Sequence, residues 1–204
     1  MIIKKIAAIC KSRKSVALFD DKEAEIQWIS DGCAVYPLYD MPPLDEETVL
    51  VVLDVPGDKR GDYRVKHEAL PAVYNFRDED DLERMLPEMD VGIVFKDSKL
   101  MPARTSRGLR FFNPKYLEPL NDLDGFELYE RQTKDGEIYF AVKTGFILQA
   151  ILLPALPEPD VLADRLRMLA SEMETTLHYK TLEEEEAEDD AQIRIDAETG
   201  EVIE

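Results

Sequence analysis

The chain has 204 residues, 45% of them apolar, and a formal net charge of −19 from 44 acidic and 25 basic side chains. That length and apolar content suit one ordinary domain or two small ones with a real core, and the acidity excludes a protein that coats nucleic acid over its whole surface while leaving room for a local basic face. Two cysteines suit a reducing compartment, and no apolar run approaches the ~20 residues that cross a bilayer, so a cytoplasmic protein without membrane contact is expected.

In chain order, Ile2, Ile3, Ile6, Ala7 and Cys10 recur at helical spacing and predict a first helix. Lys4, Lys5, Lys11, Arg13 and Lys14 supply its polar side, with no acid before Asp20, so this helix is a local basic patch. Nothing in Met1–Lys14 reads as a signal peptide. Val16–Phe19, Ile26–Ile29 and Cys33–Leu38 read as strands, separated by the turn Asp20–Ala24 and the hairpin signal Asp31-Gly32. Period two puts Ile26 and Trp28 on one face. Met41-Pro42-Pro43 ends the run.

Leu44–Glu47 reads as a helix start with acids in its first turn, and the β-branched Thr48–Val55 is expected to turn to strand. Gly57–Gly61 is read as a loop, Tyr63–His67 as a strand and Pro71–Phe76 as extended. Arg77–Asp90 is rich in charge and reads as a linker with one helical turn near Leu82–Leu86. Gly92–Phe95, Leu100–Ala103 and Leu109–Phe112 are the next strands. Their region is basic, with Lys96, Lys99, Arg104, Arg107, Arg110 and Lys115 against Asp97 alone.

Asn113-Pro114 opens a short helix, Pro114–Leu123, followed by strands Phe126–Arg131, Glu137–Lys143 and Phe146–Leu153. Beyond Pro157 and Pro159, Val161, Leu162, Leu166, Leu169, Met173 and Leu177 form one helical stripe. Glu183–Asp190 is expected to be solvated, as a fraying helix or coil. Gln192–Asp196 and Glu201–Glu204 flank a Gly turn and suggest a hairpin, expected to stay disordered unless docked. From Thr181 onward eleven acids stand against Arg194 alone, a charge of −10, which leaves −9 for residues 1–180.

No Gly-rich phosphate loop or nucleophile elbow occurs. His67 and His178 lie on separate elements, and the two histidines and two cysteines have no zinc spacing. Asp20-Asp21 and Asp78–Asp81 read as solvated turns. No catalytic residue, metal site or cofactor is assigned, and the chain is not expected to be an enzyme.

Residues 2–38 and 114–154 share one order of elements: helix, strand, turn, strand, Gly turn, strand, proline. Ile26 and Trp28 correspond to Ile138 and Phe140, and Gly32 to Gly145 at nearly the same offset. Asn113-Pro114-Lys115-Tyr116-Leu117, Leu120, Leu123, Phe126–Tyr129 and Gln149–Pro154 resemble the closing module of bacterial DNA sliding clamps. Ile29-Ser30-Asp31-Gly32 is similar to a turn in clamp domains. The resemblance covers residues 2–156 and departs in two ways: the chain is long enough for about one clamp domain, and Ala155-Leu156 stand where an Arg usually follows the apolar-Pro segment.

The resemblance implies an α+β, DNA-clamp-like fold of two helix-plus-three-strand repeats. The expected organisation is a domain over 1–157, with repeats at about 1–76 and 91–157 and a linker at 77–90. A C-terminal amphipathic helix over 158–182 and an acidic, flexible tail over 183–204 follow. The implied function is that of a non-enzymatic clamp-like accessory of replication or of a mobile element, which self-associates as a homo-oligomer and contacts double-stranded DNA weakly and without sequence preference, or a protein partner. Lys4, Lys5, Lys11, Arg13, Lys14, Arg104, Arg107, Arg110 and Lys115 are the candidate DNA contacts, and Leu153, Pro154 and Leu156 the candidate partner contacts. The alternative is a protein-interaction adaptor without nucleic-acid binding, acting through the C-terminal helix and acidic tail.

Overall fold

The computed structural model describes residues 2–95, 97–155, 159–191, 194–195 and 202–203. They belong to two units, Met1–Leu156 and Pro157–Glu204.

The first unit begins with α1 (Ile3–Arg13), whose apolar stripe buries Ile6, Ala7, Ile9 and Cys10. Lys14 ends the helix in the left-handed region at φ 50°, and its N–H closes on the Cys10 and Lys11 carbonyls. The chain then runs straight into a meander of β1 (Ser15–Asp21), β2 (Ile26–Ser30) and β3 (Ala34–Pro37). At the β2–β3 turn, Gly32 takes φ 93° and Asp31 Oδ1 accepts from the amides of Cys33 at 2.9 Å and Ala34 at 3.0 Å.

The predicted passage from helix to strand near Thr48 does not occur. Glu46–Val52 is a helix throughout, α2. Asp45 Oδ1 accepts from the Thr48 amide at 2.7 Å, and Thr48 Oγ1 accepts from the Asp45 amide at 2.8 Å. This capping box fixes the first turn, and Val49 and Leu50 then bury, so the cap and burial outweigh the β-preference of the valines. Gly57–Asp62 is a 3-10 helix where a loop was expected. β4 (Arg64–Ala69) follows, then a turn at residues 72–74 in place of extended chain.

The predicted helical turn near Leu82–Leu86 is instead a two-residue strand, β5 (Arg84–Met85). β6 (Ile93–Phe95), β7 (Ser98–Thr105) and β8 (Gly108–Phe112) form a separate antiparallel sheet. Pro114–Leu120 is a 3-10 helix, shorter than the predicted Pro114–Leu123, and Pro119 inside it has no N–H with which to continue an α-helical ladder. β9 (Glu127–Gln132), β10 (Ile138–Thr144) and β11 (Ile147–Leu152) make the second meander.

Eight strands form one mixed sheet in the order β4-β1-β2-β3-β11-β10-β9-β5. β4 lies parallel to β1, and the other neighbours are antiparallel. The third strands of the two meanders meet at the centre, with Val35 opposite Ile151 and Ala34 opposite Leu152. One face carries Val16, Leu18, Ile29, Ala34, Tyr36, Ile138, Phe140, Val142, Ala150 and Leu152, clustered with Ile6 and Cys10 of α1, Leu50 of α2, and Tyr116 and Leu120 of the second 3-10 helix. The other face carries Phe19, Trp28, Val35, Tyr139, Ala141, Leu148 and Ile151 beneath Phe76.

This arrangement corrects the correspondence of Ile26 and Trp28 with Ile138 and Phe140. Trp28 clusters with Tyr139 on one face while Phe140 lies on the other. A slip of one residue exchanges the faces of a strand.

Residues 74–83 cross the Trp28 face and are packed there, not free as a linker, before β5 joins the sheet edge and Leu86 enters the helix-side cluster. Arg131 of β9 is fully buried. Its guanidinium donates to the carbonyls of Asn75 at 3.1 Å, Arg77 at 2.8 Å and Asp78 at 3.0 Å, and to Glu83 Oε2 at 2.6 Å. Lys143 Nζ donates to Glu83 Oε1 at 2.6 Å. Asp78 accepts from the Leu148 amide and Tyr139 from the Asn75 amide. Trp28 beneath has the one buried side-chain polar atom, Nε1, without a hydrogen-bond partner among the described residues.

The second unit contains α3 (Pro159–Ala191) and a pair of two-residue strands, β12 (Arg194–Ile195) and β13 (Val202–Ile203). The helix runs on through the acidic block Glu183–Asp190. Among the described residues no helix is long and apolar enough to cross a membrane.

Removing Arg131 leaves three carbonyls of the crossing segment unpaired and half of Glu83's charge uncompensated. Arg131→Met is expected to lower unfolding free energy by about 3 kcal/mol, against about 1 kcal/mol for the exposed cap variant Asp45→Ala. Urea unfolding of the two variants beside the parent chain measures both, and equal losses would contradict the role given to Arg131.

Candidate basic surfaces and the polar nodes that hold them

The first basic island is the polar side and end of α1. Lys4 and Lys5 are exposed, and Lys5 Nζ donates to Glu118 of the second 3-10 helix at 3.2 Å. Lys11 lies 3.8 Å from Asp54, Arg13 Nε 3.6 Å from Asp31, and Lys14 Nζ donates to Asp62 at 2.9 Å. Lys11 and Arg13 occupy the last turn, where cations complement the helix dipole. The pairs of Lys5, Lys11 and Lys14 are exposed and contribute little to stability, and all four reduce the positive charge free to meet a phosphate. Asp62 sits below the usual carboxylate range because of its hydrogen bond from Lys14, and Lys14 is correspondingly raised.

Arg13 also belongs to a buried polar node under α1. The Asp31 side chain is fully enclosed, and its Oδ2 accepts from the Tyr116 hydroxyl at 3.2 Å. Tyr36 donates to the Tyr116 carbonyl at 2.8 Å. Burial pushes both tyrosine hydroxyls above their ordinary range, with Asp31 adding to the effect. Cys10 and Cys33 are both free thiols, and burial pushes the Cys10 thiol up to about 12.

The second island sits on the β7–β8 hairpin. Arg104, Arg107 and Arg110 are exposed. The register Ala103↔Arg110 and Arg104↔Leu109 puts Arg104 and Arg110 on opposite faces of the hairpin, so they do not form one patch. Arg107 lies against Gly136 in the β9–β10 turn, where an added Cβ would come within 2.7 Å of its guanidinium and where φ is +79°. Lys115 is half-buried, with Nζ 4.8 Å from the Tyr116 ring centre. Lys96, counted with this island, lies outside the described residues.

Buried Glu130 of β9 anchors the hairpin. It accepts from the Ser106 amide at 2.8 Å, from the Ser106 hydroxyl, and from Arg84 at 2.7 Å. Arg84 also donates to the Arg104 carbonyl at 3.0 Å. Burial opposes the charge on Glu130, but the bonds from Ser106 and Arg84 together outweigh it and hold the carboxyl below its usual range.

The candidate partner segment is not a loose end. The Leu153 amide donates to Cys33 at 2.8 Å, and its side chain packs at the edge of the Trp28 cluster. Pro154 is half-buried, and the Ala155 amide donates to Phe111 at 2.7 Å. Leu156 lies outside the described residues. On the far edge of the sheet, His67 Nε2 is 2.8 Å from Asp20 Oδ2, whose other oxygen accepts from Gln27 at 2.9 Å. Among the described residues no group of three or more His, Cys, Asp or Glu gathers to hold a metal ion.

Arg131, Glu83, Glu130 and Asp31 hold the loops around these surfaces, and of the four only Asp31 stands out in the sequence, as a turn residue and not as a buried charge. Each is a charged residue in a strand end or polar run, where solvation is the ordinary expectation. No protein-family model, curated protein or solved structure matches the chain.

A depressed folded-state carboxyl contributes stability that is present above its unfolded pKa, about 4.3 for Glu, and lost as pH falls through the lower folded value. Glu130→Gln is therefore expected to destabilise the protein by about 2 kcal/mol at pH 7 and by less as pH falls below about 4. Denaturant unfolding across that range checks this, and a pH-independent difference would contradict it.

Proposed function

We propose that this chain is a non-enzymatic, DNA-clamp-like protein. It serves as an accessory in DNA replication or to a mobile element, self-associates, and contacts double-stranded DNA weakly and without sequence preference. One observation carries the reading: two runs of helix and three-stranded meander join through their third strands, and both helices pack on one face and touch. The Ile2 amide donates to the Pro119 carbonyl at 2.7 Å, and Lys5 meets Glu118. This is the element order that the resemblance over Asn113–Pro154 implies, and it supports treating residues 2–38 and 114–154 as two copies of one unit.

The basic island on α1 supports the DNA contact, while the second island is divided between the faces of its hairpin. Four of the five cations on the first already face carboxylates, so binding should be of the non-specific kind, about 10⁻⁴–10⁻⁶ M at physiological salt and tighter below it. Self-association follows from the length, since one domain encloses no ring.

A second reading is favoured by α3, where Leu169, Met173 and Leu177 are at least half exposed. On that reading the chain is a protein-interaction adaptor that acts through this helix and the acidic tail and leaves DNA alone.

Fluorescence anisotropy with a labelled duplex at low salt, and solution mass, separate the two. The clamp-like reading expects saturable binding that weakens steeply with salt and is lost in the Lys4→Glu, Lys5→Glu, Lys14→Glu triple variant, together with a mass above one chain. Indifference to duplex at low salt removes the DNA contact. Removal of residues 158–204 should leave the number of chains per particle unchanged on the first reading and abolish association on the second.

A further inference from the structure

The end of α1 and the starts of β1 and β4 converge because Lys14 turns the chain from helix to strand without a loop. Parallel pairing then sets Arg64 opposite Ser15, and the Arg64 amide donates to the Lys14 carbonyl at 3.0 Å. Between these elements opens a cleft of about 450 Å³ lined by Arg13, Lys14, Ser15, Asp62 and Arg64. Three cations and one carboxylate give this lining an excess of two positive charges.

The four charges are not equivalent. Asp62 is engaged by Lys14, and Arg13 turns its Nε toward buried Asp31. No carboxylate lies within 4.0 Å of the Arg64 guanidinium among the described residues, and Arg64 is exposed. The helix dipole accounts for cations in the last turn of α1, but it gives no reason for an arginine on a neighbouring strand. Two guanidinium forks, an ammonium and the Ser15 hydroxyl are all donors. Guanidinium forks match the edges of a tetrahedral oxyanion in paired hydrogen bonds. The volume lies within the range of small-ligand sites and is ample for a phosphoryl group.

We infer that the cleft between α1, β1 and β4 is a phosphate-binding site in which Arg64 is the principal free ligand, joined by Arg13, Lys14 and Ser15. Its occupant is a phosphoryl group, supplied either as free phosphate or as the diester backbone of a nucleic acid. The second source rests on the DNA contact proposed above; the anion chemistry does not.

The test uses the full chain, with Arg64→Gln as the variant and Lys66→Gln, on the same strand but outside the cleft, as control. Inorganic phosphate is titrated against amide spectra beside chloride at matched ionic strength, and duplex binding is measured across salt. The expected result is saturable phosphate-induced shifts at Ser15 and Arg64 that Arg64→Gln abolishes and Lys66→Gln keeps. Duplex affinity of Arg64→Gln should fall roughly fivefold, the loss of one exposed charge contact, with a salt slope lower by about 1.

Phosphate uptake that depends on Arg64, without duplex binding, upholds the cleft as a free-phosphate site and removes the DNA contact. Duplex binding unaffected by Arg64→Gln, with phosphate behaving like chloride, overturns the cleft and leaves the DNA contact standing. Failure of both probes overturns both, and phosphate uptake that survives Arg64→Gln overturns this assignment. Melting curves of the two variants, whose side chains are exposed, confirm that each is folded.

Discussion

The seam between β3 and β11 is the constraint on which the rest of the first unit depends. Its ladder is short, with Val35 and Ala34 facing Ile151 and Leu152 and the Leu153 amide reaching Cys33. Two opposed pairs cannot hold two meanders together by hydrogen bonds alone, since each bond nets only about 1 kcal/mol. What closes the seam is the apolar packing on both sides of it. Ala34, Tyr36, Ala150 and Leu152 belong to the helix-side cluster, and Val35, Leu148 and Ile151 to the opposite one. Once the third strands meet, α1 and the Pro114–Leu120 helix are forced onto the same face and into contact.

Around this apolar centre the chain uses buried charge to fix what the sheet does not reach. Asp31 ties the β2–β3 turn to α1 and to Tyr116. Glu130 ties the β7–β8 hairpin to β9. Arg131 ties residues 75–83 to the Trp28 face. In each case the charged group meets main-chain atoms as well as an opposite charge. That is the condition under which a buried ion is tolerated. Two of these nodes hold Arg13 and the hairpin that carries Arg104, Arg107 and Arg110, so part of the charged surface is positioned by residues that never reach it.

Much of the local structure was legible in the chain because strands with one face buried leave a period-two pattern. β1, β2, β9, β10 and β11 fall on the predicted runs within a few residues. What local pattern could not supply was partnership. Trp28 and Phe140 occupy similar places in similar strands, yet a shift of one residue puts them on opposite faces. The valines after Thr48 favour strand, but the capping box between Asp45 and Thr48 and the burial of Val49 and Leu50 decide for helix. Glu83 looks solvated with the acids around it until Arg131, 48 positions on, is seen to hold it. For the same reason Arg13 and Lys14 could be picked out from a local run of charge, while Arg64 could not. It joins them only through the parallel pairing of β4 with β1.

The chain has a single tryptophan, and its indole edge lies under the crossing segment, with the Phe76 ring centre 5.0 Å away. An indole enclosed in apolar surroundings and without a hydrogen bond emits at short wavelength, and water reaching it moves the emission to the red. Trp28 is therefore an intrinsic optical probe of the lifting of residues 74–83 from this face of the sheet. Because the helices and the basic cleft involve the opposite face or its margin, a change in that emission on adding a ligand would report communication through the sheet, and its constancy would mark the two faces as mechanically independent.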